Sequence, residues 1–163
     1  MTDSISQRVE AQGIESLRPM VMGTRHMAVA GHYGAAHAAF AILEAGGNAI
    51  DVGVAGGIAL GVLQSDLVNV AGVAPIMIYV AKTREVVTIS GLGTWPRAIT
   101  PDYFAKHCGG RIPHGVLRTV VPAAPDAWIT ALQRFGTRSF GECAQAAARA
   151  RARSPCRRAS ARA

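Results

Sequence analysis

The segment EAGGNAIDVGVAGGIALGV, from Glu44 to Val62, constrains the fold more than any other part of the sequence. Asn48 is a good helix N-cap, and Asp51 follows three residues later, where a carboxylate interacts favourably with the positive end of the helix dipole. Four further glycines fall inside the predicted helix, where each costs about 1 kcal/mol relative to alanine. We therefore expect a neighbouring helix or sheet to approach this helix closely. Because most of the glycines lie within the helix rather than in a turn before it, the segment does not predict a phosphate-binding loop.

Helix and strand signals surround this segment in an order that predicts a mixed, layered fold. A strand is expected over His26–His32 and a helix over Tyr33–Ala45, ended by Gly46 in the left-handed conformation. Two β-rich runs, Ile76–Val80 and Val86–Ile89, flank a polar turn and predict an antiparallel hairpin. Both runs are almost wholly apolar, which favours a sheet covered on both faces by helices. Further helices are predicted over Asp102–His107, over Asp126–Phe135 before Gly136, and from Ser139 onward.

The length and composition fit one globular domain, because half of the 163 residues are apolar. The formal net charge of +7 is local, since six arginines and no acidic residue lie between Ala147 and Ala163 and the remainder carries +1. A basic-protein interpretation therefore applies to this tail alone. The three cysteines are odd in number and form no CxxC pair, which favours a reducing compartment. Without an apolar leader or a long apolar run, the sequence predicts a cytoplasmic protein with no membrane-spanning helix.

The histidines do not form a pattern typical of a metal centre. His32 and His37 are five residues apart, so they would lie on different sides of a helix. No acidic residue accompanies them at a metal-ligand spacing. We expect these histidines to be hydrogen-bonded or solvated, and we expect neither a metal nor a cofactor.

Four segments, taken in order, resemble the N-terminal part of the large subunit of the γ-glutamyltransferase (γ-glutamyltranspeptidase) family. They are AGGNAIDVGVA, QSDLVNVAGVAPIMIYV, TREVVTISGLGTWPRAITPDYF and VVPAAPDAWITALQRFGT. A glycine-rich loop of the family is reduced here to NVAGVAP, which keeps Asn69 and Gly72. The resemblance covers residues 22–148 and implies an α+β fold, an incomplete αββα sandwich of the N-terminal-nucleophile hydrolase type. Residues 1–21 would then be a polar leader, and residues 149–163 a basic tail that is disordered or out of frame.

The resemblance implies an enzyme that cleaves its own chain and uses the new N-terminal threonine of its small subunit as nucleophile. The α-amino group of that threonine would serve as the base. This chain is expected to stop before the threonine, and therefore to be inactive alone and to lack its small-subunit half. Thr24-Arg25-His26 resembles the Thr-Thr-His setting of the nucleophile only faintly, and its place in the chain matches the first strand of the large subunit.

The resemblance also implies a large-subunit arginine that holds the substrate α-carboxylate, in a pattern close to Asp-x-Arg-Glu-x-x-Pro. That pattern aligns with SGLGTWP, so that Leu92 stands at the arginine position and Gly93 at the glutamate position. An apolar side chain cannot form a bidentate pair with a carboxylate. We therefore expect a γ-glutamyl or related small-molecule amide enzyme that prefers a small amide or an oxamate-like acid to glutathione. Leu92 and Trp95 are predicted to form part of the pocket wall, and Arg97 or Arg118 would be the alternative carboxylate ligands.

The arginine-rich tail and the incomplete sheet lead to further expectations. The run RARARSPCRRASARA is typical of a GC-rich gene read out of frame, which predicts a frameshifted or truncated product. The alternative is a non-catalytic basic module that binds nucleic acid through this tail, although the tail lacks the aromatic residues that stack on bases. Sheet edges left uncovered by a missing small subunit pair with other chains, so we expect the chain alone to aggregate.

Overall fold

A computed structural model describes residues 21–153, which combine α-helices with one antiparallel hairpin. The elements are α1 (Tyr33–Glu44), α2 (Ala49–Leu63), β1 (Ile76–Val80), β2 (Glu85–Ile89), α3 (Pro101–His107), α4 (Ala124–Phe135) and α5 (Phe140–Arg153), with a 3₁₀ turn at Val116–Arg118. Nearly all of the predicted leader, and the tail from residue 154 onward, lie outside the described residues. No helix within residues 21–153 is both long enough and apolar enough to cross a bilayer.

The connection between α1 and α2 forms as the sequence predicts. Gly46 follows α1 with φ +82°, in the left-handed region. The Asn48 side chain accepts hydrogen bonds from the backbone N–H groups of Ile50 (2.9 Å) and Asp51 (3.1 Å). The Asp51 carboxylate accepts one from the N–H of Asn48 at 2.8 Å, which completes a reciprocal capping box. The double glycine and the Asn-x-x-Asp start therefore end one helix and begin the next.

Three of the glycines in α2 lie where another part of the chain comes close. A Cβ atom at Gly56 would lie 3.5 Å from the Cβ of Ala39 in α1, and one at Gly57 would lie 3.0 Å from Nε1 of Trp128 in α4. A Cβ at Gly61 would lie 3.4 Å from the next loop. Gly53 differs, because nothing lies within 4 Å of the corresponding position. The predicted close packing of α2 is confirmed at three positions, while Gly53 leaves an open space.

The core lies among α1, α2, α4 and α5 and consists largely of small side chains. Ala35, Ala55, Ala59 and Ala131 are fully buried. Alanines at these positions allow helix axes to approach one another closely, which is how four helices of modest length share one core. One side chain of the hairpin, that of Ile78, is buried in the same cluster.

The β1–β2 hairpin is antiparallel, as predicted, with Ile76 opposite Ile89 and Ile78 opposite Val87. Residues 81–84 form the turn. The expectation that both faces of the sheet are covered is wrong for the described residues. The face carrying Ile78 contacts the helices, but on the other face Met77 is 76% exposed and Tyr79 is 63% exposed. The apolar composition of β1 therefore reflects one buried face and one exposed apolar face.

The termini of the described region differ from the predictions. The prediction of a strand over His26–His32 is wrong. These residues form neither helix nor strand, and no described strand pairs with them. Backbone in the β region, as at His32 (φ −121°, ψ 133°), makes a strand only when a neighbour supplies the ladder. At the other end, α5 continues to Arg153, so the first five residues assigned to the basic tail are helical. Helix α4 begins at Ala124, two residues before the predicted start.

A candidate substrate-binding loop

The predicted pocket residues lie in the loop between β2 and α3, and two glycines fix its path. Leu92 stands between Gly91 (φ +52°) and Gly93 (φ +70°), both in the left-handed region that favours glycine. A Cβ atom at Gly91 would overlap the carbonyl oxygen of Ala74, and one at Gly93 would overlap that of Val121. Both positions therefore require glycine for two reasons, the backbone conformation and the close approach of another segment.

Two backbone hydrogen bonds join this loop to two other segments, and two more join those segments to each other. The N–H of Ala74 donates to the Gly91 carbonyl, and that of Val121 donates to the Thr94 carbonyl, both at 2.8 Å. The Gly72 carbonyl accepts from Ala123 (3.1 Å) and Ala124 (3.2 Å), where α4 begins. The structure thus brings together residues 72–74, 91–94 and 121–124. The sequence analysis did not predict that residues 121–124 contribute to this assembly. The signals available for it were the Gly-Leu-Gly tripeptide, Pro122 just before α4 and Pro125 in its first turn.

Leu92 and Trp95, the two residues predicted to line the pocket, have different surroundings in this loop. The Leu92 side chain is 53% exposed. The Trp95 ring is partly buried, with its centroid 5.2 Å from that of Phe104, a buried residue of α3. The indole Nε1–H of Trp95 is shielded from solvent and has no hydrogen-bond partner among the described residues. Leu92 is therefore the residue of the pair that is available for contact with another molecule.

The two arginines considered as alternative carboxylate ligands are both exposed. Arg118 lies at the end of the 3₁₀ turn, where its guanidinium donates to the carbonyl oxygen of Ile112 at 3.3 Å. Arg97 lies two residues after Trp95 and is also exposed. The segment from Gly91 to Trp95 contains no ionisable side chain. The loop can therefore contribute shape and apolar surface to a site, while proton transfer would have to come from elsewhere.

The most extensive polar network of the described residues lies away from this loop, around Asp51. Its carboxylate has no solvent exposure and accepts from the N–H of Thr137 (2.9 Å), the hydroxyl of Thr137 (2.6 Å) and the N–H of Arg138 (3.0 Å). Burial raises the pKa of Asp51, but these bonds and the one from Asn48 together hold the pKa below its ordinary value. Asn48 also donates to the Phe135 carbonyl at 2.7 Å. The network joins the start of α2 to the α4–α5 connection and is structural.

Two further reactive side chains, Cys143 and His32, also have structural surroundings. Cys143 is buried, and its Sγ donates to the Asp51 carbonyl at 3.6 Å. Burial, followed by the charges of Asp51 and Glu142, raises the pKa of Cys143 to about 11, which keeps the thiol protonated and unreactive. His32 accepts from the N–H of Gly34 and caps α1. Within residues 21–153 no three His, Cys, Asp or Glu side chains are grouped as metal ligands.

Known proteins match most of this region. Residues 35–153 match the family described as Gamma-glutamyltranspeptidase. The chain is 37% identical over 135 residues to the Acylase ACY 1 proenzyme of Pseudomonas sp. (strain V22), covering 77% of this chain and 24% of that protein. It is 30% identical over 124 residues to the Glutathione hydrolase-like YwrD proenzyme of Bacillus subtilis (strain 168), covering 75% of this chain and 23% of that protein.

The fold of the chain is also similar to that of a solved structure. The crystal structure of Helicobacter pylori gamma-glutamyltranspeptidase superposes with a TM-score of 0.71 at 28% identity, covering 79% of this chain and 38% of that chain. The chain spans about a quarter of the length of the two curated relatives. None of these matches supports the alternative of a nucleic-acid-binding module. With the family match covering residues 35–153, the chain belongs to the γ-glutamyltranspeptidase family.

Proposed function

We propose that this chain forms the N-terminal part of the large subunit of an amide hydrolase or acyltransferase of this family. In this role it supplies scaffold and part of the pocket wall. The nucleophile, a threonine at the N-terminus of the small subunit, belongs to a part of the enzyme outside this chain, and the two parts complete an αββα sandwich. The chain alone is then inactive. The family match and the proenzyme names of the two curated relatives support this proposal.

The substrate proposed for the complete enzyme is a small amide without a γ-glutamyl α-carboxylate. The observation that carries this proposal is the position of Leu92. Leu92 is 53% exposed, at the place that aligns with the carboxylate-binding arginine, on a loop hydrogen-bonded to two other segments. An apolar side chain offers no charge-assisted hydrogen bond to a carboxylate. A buried carboxylate left without its partner costs roughly 3–5 kcal/mol. At about 1.4 kcal/mol per factor of ten, γ-glutamyl substrates are disfavoured by on the order of a hundredfold or more.

A chimeric proenzyme tests this function. Residues 35–153 replace the corresponding part of the Pseudomonas acylase ACY 1 proenzyme, and hydrolysis is measured with two p-nitroanilides. The γ-glutamyl and butyryl derivatives have the same leaving group and acyl chain length, and they differ in the α-amino and α-carboxylate groups. We expect butyryl p-nitroanilide to have the higher kcat/KM. A self-cleaved chimera that hydrolyses neither compound, or that prefers the γ-glutamyl derivative, would contradict the proposal.

The chain alone provides the matching negative control. Purified full-length chain, residues 1–163, is expected to release no p-nitroaniline from either compound, because the proposed nucleophile lies outside it. Hydrolysis by the chain alone would show that it carries its own nucleophile.

A further inference from the structure

The register of the β1–β2 hairpin continues into the candidate substrate-binding loop. The N–H of Ala74 donates to the carbonyl of Gly91 at 2.8 Å, in the same register as the paired residues of the two strands. One further step along this register sets Val73 across from Leu92. Residues that stand opposite each other in an antiparallel pair are about 5 Å apart, within contact range of both side chains. Val73 is therefore the neighbour of Leu92 on one side.

The segment that precedes α4 is hydrogen-bonded to both of the segments that carry these two residues. The N–H of Val121 donates to the carbonyl of Thr94, two residues after Leu92, at 2.8 Å. Two further N–H groups of the same segment donate to the carbonyl of Gly72, the residue before Val73, at 3.1 and 3.2 Å. Val121 therefore belongs to the same backbone assembly as Val73 and Leu92.

This assembly carries three exposed, branched apolar side chains, those of Val73, Leu92 and Val121. The three joined segments contain no ionisable side chain, and Thr94 has their only side-chain hydroxyl. Branching at Cβ restricts the rotamers of the two valines, and hydrogen bonds hold the backbone beneath them. A group that binds here therefore meets a preformed apolar surface that offers no partner for a charge.

We propose that Val73 and Val121 act with Leu92 as specificity-determining residues that contact the acyl group of the substrate. The substrate class is then an amide with an apolar acyl chain that extends beyond its α-carbon. A charged or hydroxylated chain would lose its hydration on this surface without gaining a hydrogen bond, whereas a hydrocarbon chain is favoured by burial. This inference rests on the proposed function, because that function assigns the same loop to contact with the substrate.

The dependence of kcat/KM on acyl chain length tests this contact. Acetyl and butyryl p-nitroanilide have the same leaving group and differ by two methylene groups in the acyl chain. We expect the acylase chimera containing residues 35–153 to favour the butyryl derivative by about tenfold or more, since burial of one methylene group corresponds to about fourfold. The ratio of the two kcat/KM values does not depend on the fraction of the chimera that has cleaved itself.

Two threonine substitutions in the chimera, Val73→Thr and Val121→Thr, connect the chain-length preference to these residues. Each keeps the branched shape and replaces one methyl group by a hydroxyl. Both valines are exposed in the chain, so neither substitution places a hydroxyl in the helical core. We expect each to lower the butyryl-to-acetyl ratio by roughly threefold. Val116→Thr is the matched control and should leave the ratio unchanged, because Val116 is an exposed valine outside the three joined segments.

Two outcomes would overturn the inference. The first is an equal kcat/KM for the acetyl and butyryl derivatives. The second is a preference for butyryl that neither threonine substitution lowers, which would assign acyl selection to the part of the enzyme outside this chain. The comparison of γ-glutamyl with butyryl p-nitroanilide judges the proposed function separately. A self-cleaved chimera that prefers butyryl to γ-glutamyl but hydrolyses acetyl and butyryl equally well rejects this inference alone, and one that hydrolyses none of the three rejects both.

Discussion

The buried carboxylate of Asp51 accepts two hydrogen bonds from Thr137, which lies 86 residues further along the chain, one from its backbone N–H and one from its hydroxyl. Asp51 also accepts from Asn48 within its own capping box. One side chain therefore begins helix α2 and holds the connection between α4 and α5 against it. The arrangement of the helical core depends on this contact.

Replacing Asp51 by asparagine is expected to destabilise the full chain by about 3 kcal/mol. The amide keeps the shape but presents N–H groups to donors, and each buried donor left unpaired costs about 1–3 kcal/mol. Urea unfolding followed by circular dichroism at low protein concentration measures the change. Asp126→Asn is the control, because Asp126 is also an acidic residue in the first turn of a helix but is exposed. Equal effects of the two substitutions would show that the buried network contributes nothing beyond the helix dipole.

The same contacts predict a loss of stability in acid. The pKa of Asp51 lies below its ordinary value of 3.8 in the folded chain, so the unfolded chain takes up the proton first as the pH falls. The stabilisation is present above about pH 4 and is lost progressively as the pH decreases through the lowered pKa. Hydrogen bonds from Ser139 lower the pKa of the exposed Glu142 in the same direction. We expect the urea midpoint to decrease more between pH 6 and pH 3 in the native chain than in Asp51→Asn. A parallel decrease in both would contradict this assignment.

Substitutions at two glycines of α2 are expected to change the stability of the chain in opposite directions. Gly53→Ala should stabilise the chain by about 0.5–1 kcal/mol, because the position is open and alanine favours a helix. Gly57→Val should destabilise it by about 1–3 kcal/mol, since the added carbons meet the Trp128 ring, whose Nε1 lies 3.0 Å from the Cβ position. Thermal unfolding of the two variants beside the native chain tests the pair. If both substitutions shifted the midpoint in the same direction, the close contact between α2 and α4 would be in doubt.

The exposed face of the hairpin is expected to cause self-association of the chain. Tyr79 and Val86 lie directly opposite each other, and both are exposed. A lysine at such a position opposes association between sheets, so Tyr79→Lys should lower the associated fraction in sedimentation velocity. Val116→Lys, a charge added at an exposed residue outside the sheet, is the control. A monodisperse native chain would contradict the expectation of aggregation, and equal effects of the two lysines would remove the sheet as its cause.

Local signals in the sequence predicted the helix boundaries well, because caps and glycines act over a few residues. Asn48 and Gly46 define the α1–α2 connection through contacts with near neighbours. The strand expected over His26–His32 failed for the opposite reason, since a strand depends on a partner far away in the sequence. Likewise, the pattern predicted the Asn48 cap and a favourable place for Asp51 at the helix start, but not the bonds that Asp51 accepts from Asn48, Thr137 and Arg138. The bonds from Thr137 and Arg138 depend on how α4 and α5 meet α2.

The candidate loop could be predicted from the sequence only in part. The alignment of SGLGTWP placed Leu92 and Trp95 together, and the two lie in one loop. The hydrogen bonds of the loop to Ala74 and Val121 came from the structure, because backbone contacts between distant segments leave little trace in residue type. The two glycines beside Leu92 were the signal in the sequence that other segments approach this loop closely, since each stands where a side chain would overlap a carbonyl oxygen.

The most direct test of the central claim is the ratio of kcat/KM for γ-glutamyl and butyryl p-nitroanilide in the chimera, with Leu92 and with Leu92→Arg. We expect Leu92→Arg to increase the ratio by on the order of a hundredfold, because a bidentate pair with the α-carboxylate becomes available. Val116→Arg, which adds the same charge elsewhere, should leave the ratio unchanged. Efficient γ-glutamyl hydrolysis with Leu92 in place, and no response to Leu92→Arg, would contradict the account and direct attention to Arg97 or Arg118 as the carboxylate ligand.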